Sequence, residues 1–133
     1  MISRTCLFAA FAAASVLSAS ALAQDVMAVA ANHYVVRVDN ADVRVIENTL
    51  APGQIDPVHT HPAGWYYVTK PGKMKIVHAD GKSEIWEAKE GEAGWMQAEG
   101  PHSSENVGSS SMGFILVEVK SAAHAGTVKA KSP

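Results

Sequence analysis

Cysteine is almost absent from this chain. The only one among 133 residues is Cys6, and it lies in an N-terminal segment that we expect to be removed. Without a second cysteine the protein cannot close an intramolecular disulfide, so an exported form must be stabilised without one. A cysteine nucleophile is excluded from the mature chain, and no GxSxG sequence marks a serine nucleophile.

Charge is sparse and balanced as well. The 11 basic residues, Lys and Arg, face 13 acidic residues, Asp and Glu, giving a formal net charge of −2. No block of like charge occurs anywhere in the sequence. Nucleic acids and anionic membrane surfaces are therefore not expected partners.

The first 23 residues have the pattern of a secretory signal peptide. A basic start at Arg4 precedes an apolar run from Cys6 to about Leu17, and the segment ends on the small residues around Ala23. The pattern predicts cleavage before Gln24, a periplasmic or secreted location and no membrane attachment afterwards. About 110 residues then remain, which is enough for one domain with one core.

Sustained helical periodicity is missing after the signal segment. Short β-branched and aromatic stretches recur instead, with turn signals between them, and Asp80-Gly81 is the clearest hairpin signal. The pattern predicts an all-β sandwich or barrel. We divide the chain into a signal peptide (1–23), an N-terminal arm or edge strand (24–42), a barrel (43–120) and a C-terminal tail (121–133).

Two histidines lie two residues apart in one of these extended stretches. Side chains alternate between the faces of a strand, so His59 and His61 should project from the same face. Two neighbouring imidazoles make a candidate metal site, although an HxH pair alone is a weak signal.

The residues around this pair form a longer pattern. Gly53 is followed by five residues, the His59-x-His61 pair, and then Gly72 after a short aromatic stretch. This pattern resembles the first motif of the cupin family. A match to the second cupin motif follows in the expected order.

The second motif consists of Gly91, ten residues, His102, three residues and Asn106. The resemblance covers residues 43–120, nearly all of the predicted mature chain. It implies a single cupin-type jelly-roll β-barrel with a metal pocket inside.

The resemblance also assigns His59, His61 and His102 as metal ligands. Neutral imidazole binds Fe(II), Zn, Ni or Cu through one ring nitrogen, and the other nitrogen normally needs a hydrogen-bond acceptor that fixes the ring. We therefore expect a divalent transition metal whose identity stays open. The alternative is that the barrel keeps these histidines as hydrogen-bonding core residues.

Two departures from the family pattern affect the expected pocket. Trp65 stands where the family usually has a glutamate ligand, and Gln97 and Glu99 replace the usual Pro and Gly of the second motif. We place Trp65 and Gln97 in the pocket, with a core aromatic at the barrel mouth as the simpler interpretation of Trp65. Three neutral ligands leave the charge of a dication uncompensated, so hydroxide or a small anionic ligand should balance it.

Tyr66 and Tyr67 are the candidate catalytic residues. Strand alternation requires one of the two to face inward, where a phenol near the metal can bind a ligand or act as a general acid or base. Simple packing is the alternative role. We interpret His33, His78 and His124 as surface or turn residues.

Two functions stay open on this basis. One is a metal-dependent enzyme, dioxygenase-like as the resemblance implies or a lyase, acting on a small anionic substrate. The other is a non-catalytic periplasmic protein that binds a small ligand or serves an accessory role. The strongly β-forming residues 33–39 lie outside both motifs, so a homodimer through this segment is also open, and light scattering would detect it.

Overall fold

The computed structural model of the protein describes residues 24–120, which form two five-stranded β-sheets. The predicted signal peptide, the predicted tail and His124 lie outside the described residues, so export stays a prediction. Between residues 24 and 120, no helix is long and apolar enough to cross a membrane.

The strands are numbered in chain order. They are β1 (Gln24–Asp25), β2 (Tyr34–Asp39), β3 (Val43–Leu50), β4 (Ile55–His61), β5 (Gly64–Lys70), β6 (Gly72–His78), β7 (Ser83–Ala88), β8 (Ala93–Met96), β9 (Glu99–Asn106) and β10 (Met112–Val119). Between β1 and β2 the chain forms one helical turn, α1 (Val26–Val29), and a 3-10 turn (Ala31–His33).

The two sheets have the interleaved strand order of a jelly roll. One sheet runs β1-β4-β9-β6-β7 and the other β2-β3-β10-β5-β8. Strands that follow each other in sequence often lie in opposite sheets, so the chain closes a barrel around one core. The predicted all-β jelly-roll fold is confirmed.

The core lies where the inner faces of the two sheets meet. Ile46, Leu50, Val68 and Met112 are fully buried there. These residues come from strands whose side chains alternate between buried and partly exposed positions, as expected for sheets with one covered face. Gly81 has a positive φ of 81° in the hairpin that joins β6 to β7, which confirms the predicted turn.

The segment before β2 belongs to the packed domain. Val26 and Ala30 are buried members of the hydrophobic core, and Gln24–Asp25 pairs in parallel with β4. The following strand, β2, pairs with β3 and forms the outer edge of its sheet. A homodimer through this edge stays a prediction.

An irregularity in the pairing of β4 with β9 determines which side chains of β4 point into the barrel. Asp56 pairs with Ser104, and His59 pairs with His102. The two residues on β4 are three positions apart, whereas their partners on β9 are only two positions apart. The extra residue keeps Asp56 and His59 on the inner face, although strict alternation would separate them. Both side chains are buried as a result.

Candidate metal site

Three histidines meet inside the barrel. His59 and His61 come from β4, and His102 on β9 lies directly opposite His59. The exposed fractions of the three residues are 1%, 6% and 5% in that order. One ring nitrogen from each lies within 4.8 Å of the others. The structure therefore brings together all three histidines that the sequence motifs single out.

Backbone carbonyls orient two of the rings. His59 Nδ1 lies 2.6 Å from the Pro57 carbonyl oxygen, and His102 Nδ1 lies 3.0 Å from the Gly100 carbonyl oxygen. A carbonyl oxygen can only accept, so Nδ1 carries the proton in both rings. The Nε2 atom of each neutral ring consequently presents its lone pair.

A buried carboxylate orients the third ring. His61 Nδ1 donates to Glu118 Oε1 at 2.8 Å, and Arg44 Nε donates to Glu118 Oε2 at 2.6 Å. Burial alone would raise the pKa of Glu118, but the hydrogen bonds from His61 and Arg44 outweigh it and hold that pKa below its usual value. Glu118 is thus an ionised acceptor, and His61 also presents Nε2.

Sequence reasoning missed Glu118 because it lies in the last strand, outside both motifs. One signal was available. Phe114, Leu116 and Glu118 share a face of β10 by alternation, and the first two are buried core residues. A charged residue that continues a buried apolar row needs a partner.

The Nε2 atoms of His59 and His61 are 3.1 Å apart. Burial, followed by the proximity of His61 and His102, lowers the pKa of His59 to about 4, so its ring is neutral at neutral pH. Two ligand atoms at metal distances of about 2.0–2.1 Å lie about 2.8–3.4 Å apart for right-angle to tetrahedral geometry. The observed spacing fits two ligands of one transition metal.

The histidines line a cavity of about 300 Å³. Apolar side chains make much of its wall: Met74, Ile76, Trp86, Phe114 and Leu116. Gln97, which the sequence placed in the pocket, lines the cavity and is exposed, as is Trp95, which the sequence analysis did not single out. The cavity is at the small end of the range for small-molecule sites.

Tyr66 is the inward-facing member of the tyrosine pair and lines this cavity. Its hydroxyl donates to Glu92 Oε1 at 3.1 Å, and Trp86 Nε1 donates to the same oxygen. Burial and the hydrogen bond to Glu92 raise the pKa of Tyr66. The phenol therefore keeps its proton at neutral pH and acts as a hydrogen-bond donor.

The structure corrects two predictions about β5. Trp65 and Tyr67 are 40% and 37% exposed and stack on each other outside the barrel, with ring centroids 6.0 Å apart. Neither belongs to the cavity wall. The reason is the phase of the strand, since Gly64 and Val68 are buried with Tyr66 between them on the inner face.

The other histidines differ from each other. His78 is 40% exposed and lies 3.2 Å from Glu84, in keeping with the surface interpretation. Its ring nevertheless faces the same side as His102, with centroids 6.4 Å apart. His33 ends the 3-10 turn before β2, in keeping with the turn interpretation. It is half-buried, and its Nδ1 lies 2.6 Å from the buried carboxylate of Asp56.

The lowered pKa of His59 predicts acid sensitivity in the metal-free protein. The unfolded chain takes up a proton as pH falls through about 6.5, whereas folded His59 does so only near pH 4. Stability is therefore lost as pH falls through this window, by about 2 kcal/mol between about pH 7 and about pH 5. Urea unfolding at several pH values measures it.

The control for this prediction is His59→Gln, which removes the titrating group. Its unfolding free energy should depend less on pH, by about the same 2 kcal/mol. Identical pH profiles for the two proteins would contradict the assignment.

Several solved structures resemble this fold. A cupin domain from Bordetella pertussis has a TM-score of 0.61 and 21% identity, covering 66% of this chain and 92% of that one. A conserved protein with a double-stranded β-helix domain from Klebsiella pneumoniae has a TM-score of 0.53 and 22% identity, covering 65% and 74%. A polyketide cyclase from Streptomyces resistomycificus has a TM-score of 0.50 and 22% identity, covering 65% and 63%.

No protein-family profile matches the sequence, and no curated protein does. At identities this low, the structural similarity concerns the path of the chain and not its activity. The two interleaved sheets and the structural neighbours agree on this path. The chain therefore has the cupin fold, a jelly-roll barrel of the double-stranded β-helix type.

Proposed function

We propose that the protein binds one divalent transition metal through the Nε2 atoms of His59, His61 and His102, and that the adjoining cavity receives a small anionic molecule. The observation that carries this proposal is the direction of the three rings. Each Nδ1 donates to a fixed acceptor, and one nitrogen of each ring lies within 4.8 Å of the others. Such acceptors are typical partners of metal-binding histidines.

The ligand set restricts the metal to a class. Imidazole suits Fe(II), Zn, Ni and Cu, whereas Mg and Ca prefer oxygen ligands. When bound, such a metal would act as a Lewis acid on an oxygen atom of the ligand. The three histidines are neutral ligands, so an anionic molecule would offset part of the metal charge.

The cavity supports a small molecule as the partner. Its volume of about 300 Å³ is about twice the roughly 150 Å³ that suffices for a benzene ring, so it has room for a molecule of one or two small rings or a short acid. Met74 and Phe114 give it apolar walls, and Tyr66 adds a hydroxyl group whose proton is donated to Glu92. An apolar wall with few polar groups would orient an anion toward the histidines.

The first function to test is enzymatic activity, either dioxygenase-like or of the lyase type. The similarity to a polyketide cyclase of the same fold supports this choice only at the level of the fold. The alternative is a non-catalytic binding or accessory protein that holds a ligand or metal in the same cavity.

The metal site can be tested by elemental analysis of protein purified without an affinity tag. After exposure to Fe(II), Ni(II), Cu(II) and Zn(II), the wild type should hold about one metal per chain, because one set of three ligands is available. His102→Ala removes one ligand and should lose most of the metal.

His78→Ala is the matched control, since His78 lies on the strand next to His102 but outside the cluster. It should keep the wild-type metal content. Less than about a tenth of a metal per wild-type chain, or equal metal in the wild type and His102→Ala, would refute the three-histidine site.

Catalysis can be tested with Tyr66→Phe in Fe(II)-loaded protein, using oxygen uptake and product formation across a panel of small acids. If Tyr66 donates a proton during turnover, its loss should lower the rate by about a hundredfold or more without changing the metal content. Tyr67→Phe, on the outer face, should behave as the wild type. A metal-loaded wild type that consumes no member of the panel would favour the non-catalytic alternative.

Export to the periplasm or the medium is also part of the proposal. It rests on the basic start, apolar run and small-residue ending of residues 1–23. N-terminal sequencing of the protein recovered outside the cytoplasm should begin at Gln24. Recovery of the uncleaved chain in the cytoplasm would contradict it.

A further inference from the structure

A β-bulge turns Glu99 toward the histidine cluster. Strands β4 and β9 pair at His59–His102 and again at His61–Glu99. The two residues on β9 are three positions apart, whereas their partners on β4 are two positions apart, so β9 has one extra residue here. Under strict alternation, Glu99 would point away from the face that His102 occupies. The extra residue reverses this, and Glu99 lines the cavity. Bulges commonly re-aim a side chain next to an active site.

The Glu99 carboxylate contacts the ligand nitrogen of His102. Its Oε2 atom lies 3.2 Å from His102 Nε2, while His102 Nδ1 donates to the Gly100 carbonyl oxygen. In a neutral ring, Nε2 then has a lone pair and no proton, and an ionised carboxylate can only accept. Two electron-rich atoms at this distance repel each other unless a cation lies between them.

We infer that Glu99 is the fourth protein ligand of the metal, an inference that rests on the metal site proposed above. The 3.2 Å separation is in the range of two ligands on one transition metal. Of the three histidines, Glu99 contacts His102, so its carboxylate would approach the metal from the β9 side of the cluster. The Glu99 side chain is 34% exposed. Its oxygen is outside the group of ligand atoms that lie within 4.8 Å of one another, so Glu99 must change rotamer to bind the same metal as all three histidines.

This assignment accounts for the missing carboxylate of the first motif. The family position for that glutamate holds Trp65, which faces outward, and the adjacent inward position holds Tyr66. Neither can supply a carboxylate. Glu99 stands instead where the second motif usually has a glycine, so the charged ligand has moved from β5 to β9.

The change also alters the electrostatics of the site. One carboxylate lowers the formal charge of a dication and its ligands by one unit, which leaves a single positive charge for a bound anion to neutralise. The cavity would then favour a monoanion over a dianion.

The test is metal affinity in Glu99→Gln, which keeps the size of the side chain and removes its charge. Competition with a chromophoric chelator for Zn(II) should show one metal per chain bound at least about 10- to 100-fold more weakly than in the wild type, because loss of a mere hydrogen-bond partner of a ligand has that effect and here a charged ligand itself is lost. The visible spectrum of the Co(II) form should change with it, since its intensity depends on the coordination number.

Glu105→Gln is the matched control. Glu105 is on the same strand and pairs with Ile55 and Lys75, outside the cavity wall. Its affinity and Co(II) spectrum should equal those of the wild type. If a proton on His102 Nε2 joined the two groups instead, Glu99→Gln would leave the Co(II) spectrum unchanged.

The possible outcomes separate the two proposals. A wild type that binds no metal refutes the three-histidine site and the Glu99 inference together. Wild-type affinity and spectrum in Glu99→Gln, with metal lost in His102→Ala, leaves the three-histidine site standing and overturns the Glu99 inference. If Glu99→Gln does not fold, difference infrared spectra of the wild type decide, because addition of Zn(II) must shift a carboxylate band if Glu99 binds it.

Discussion

The pairing of β4 with β9 is the constraint on which the site depends. In a regular ladder, opposed residues share a face and every second residue returns to it. This ladder departs from regularity on both sides of the His59–His102 pair, once with an extra residue on β4 and once with an extra residue on β9. Each departure brings a carboxylate, Asp56 or Glu99, to the inner side. Polar side chains are concentrated here because the ladder is irregular.

Burying three imidazoles together is unfavourable unless their polar atoms are satisfied. Each Nδ1 has an acceptor, so the donors of His59, His61 and His102 are satisfied. The Nε2 lone pairs of the three rings are not satisfied in this way, because they face each other and have no donor. Burial and the neighbouring rings keep His59 from taking up a proton at neutral pH, so its own lone pair stays unprotonated there. A bound cation would relieve the repulsion between the lone pairs, which makes the arrangement easier to explain as a metal site than as a cluster of packing histidines.

The sequence predicted the parts of this protein that depend on local pattern. Alternation and turn residues indicated the strands, Asp80-Gly81 marked a hairpin, and the spacing of the two motifs selected the three clustered histidines. The orientation of Trp65 and Tyr67 could not be found in this way. The phase of β5 is set by its pairing with β10, where Gly64 lies opposite Glu118, and that pairing is a tertiary contact.

The role of Glu99 escaped prediction for a related reason. A bulge moves a residue from one face of a strand to the other, and only the partner strand shows where the bulge lies. Counting back from His102 therefore assigns Glu99 to the wrong face. Glu118 was missed because its partners, His61 and Arg44, are far away in sequence.

Both sheets are needed to complete the site. One sheet supplies the three histidines on β4 and β9, and the other supplies Glu118 on β10, which fixes the ring of His61. Arg44 on β3 holds Glu118 and also pairs with Asp25, which lies beside β4 in the first sheet. The orientation of His61 thus depends on packing of the two sheets, and a metal that needs all three rings binds the folded barrel in preference to the unfolded chain. Such binding must stabilise the closed barrel, because a ligand that prefers the folded state shifts the folding equilibrium toward it.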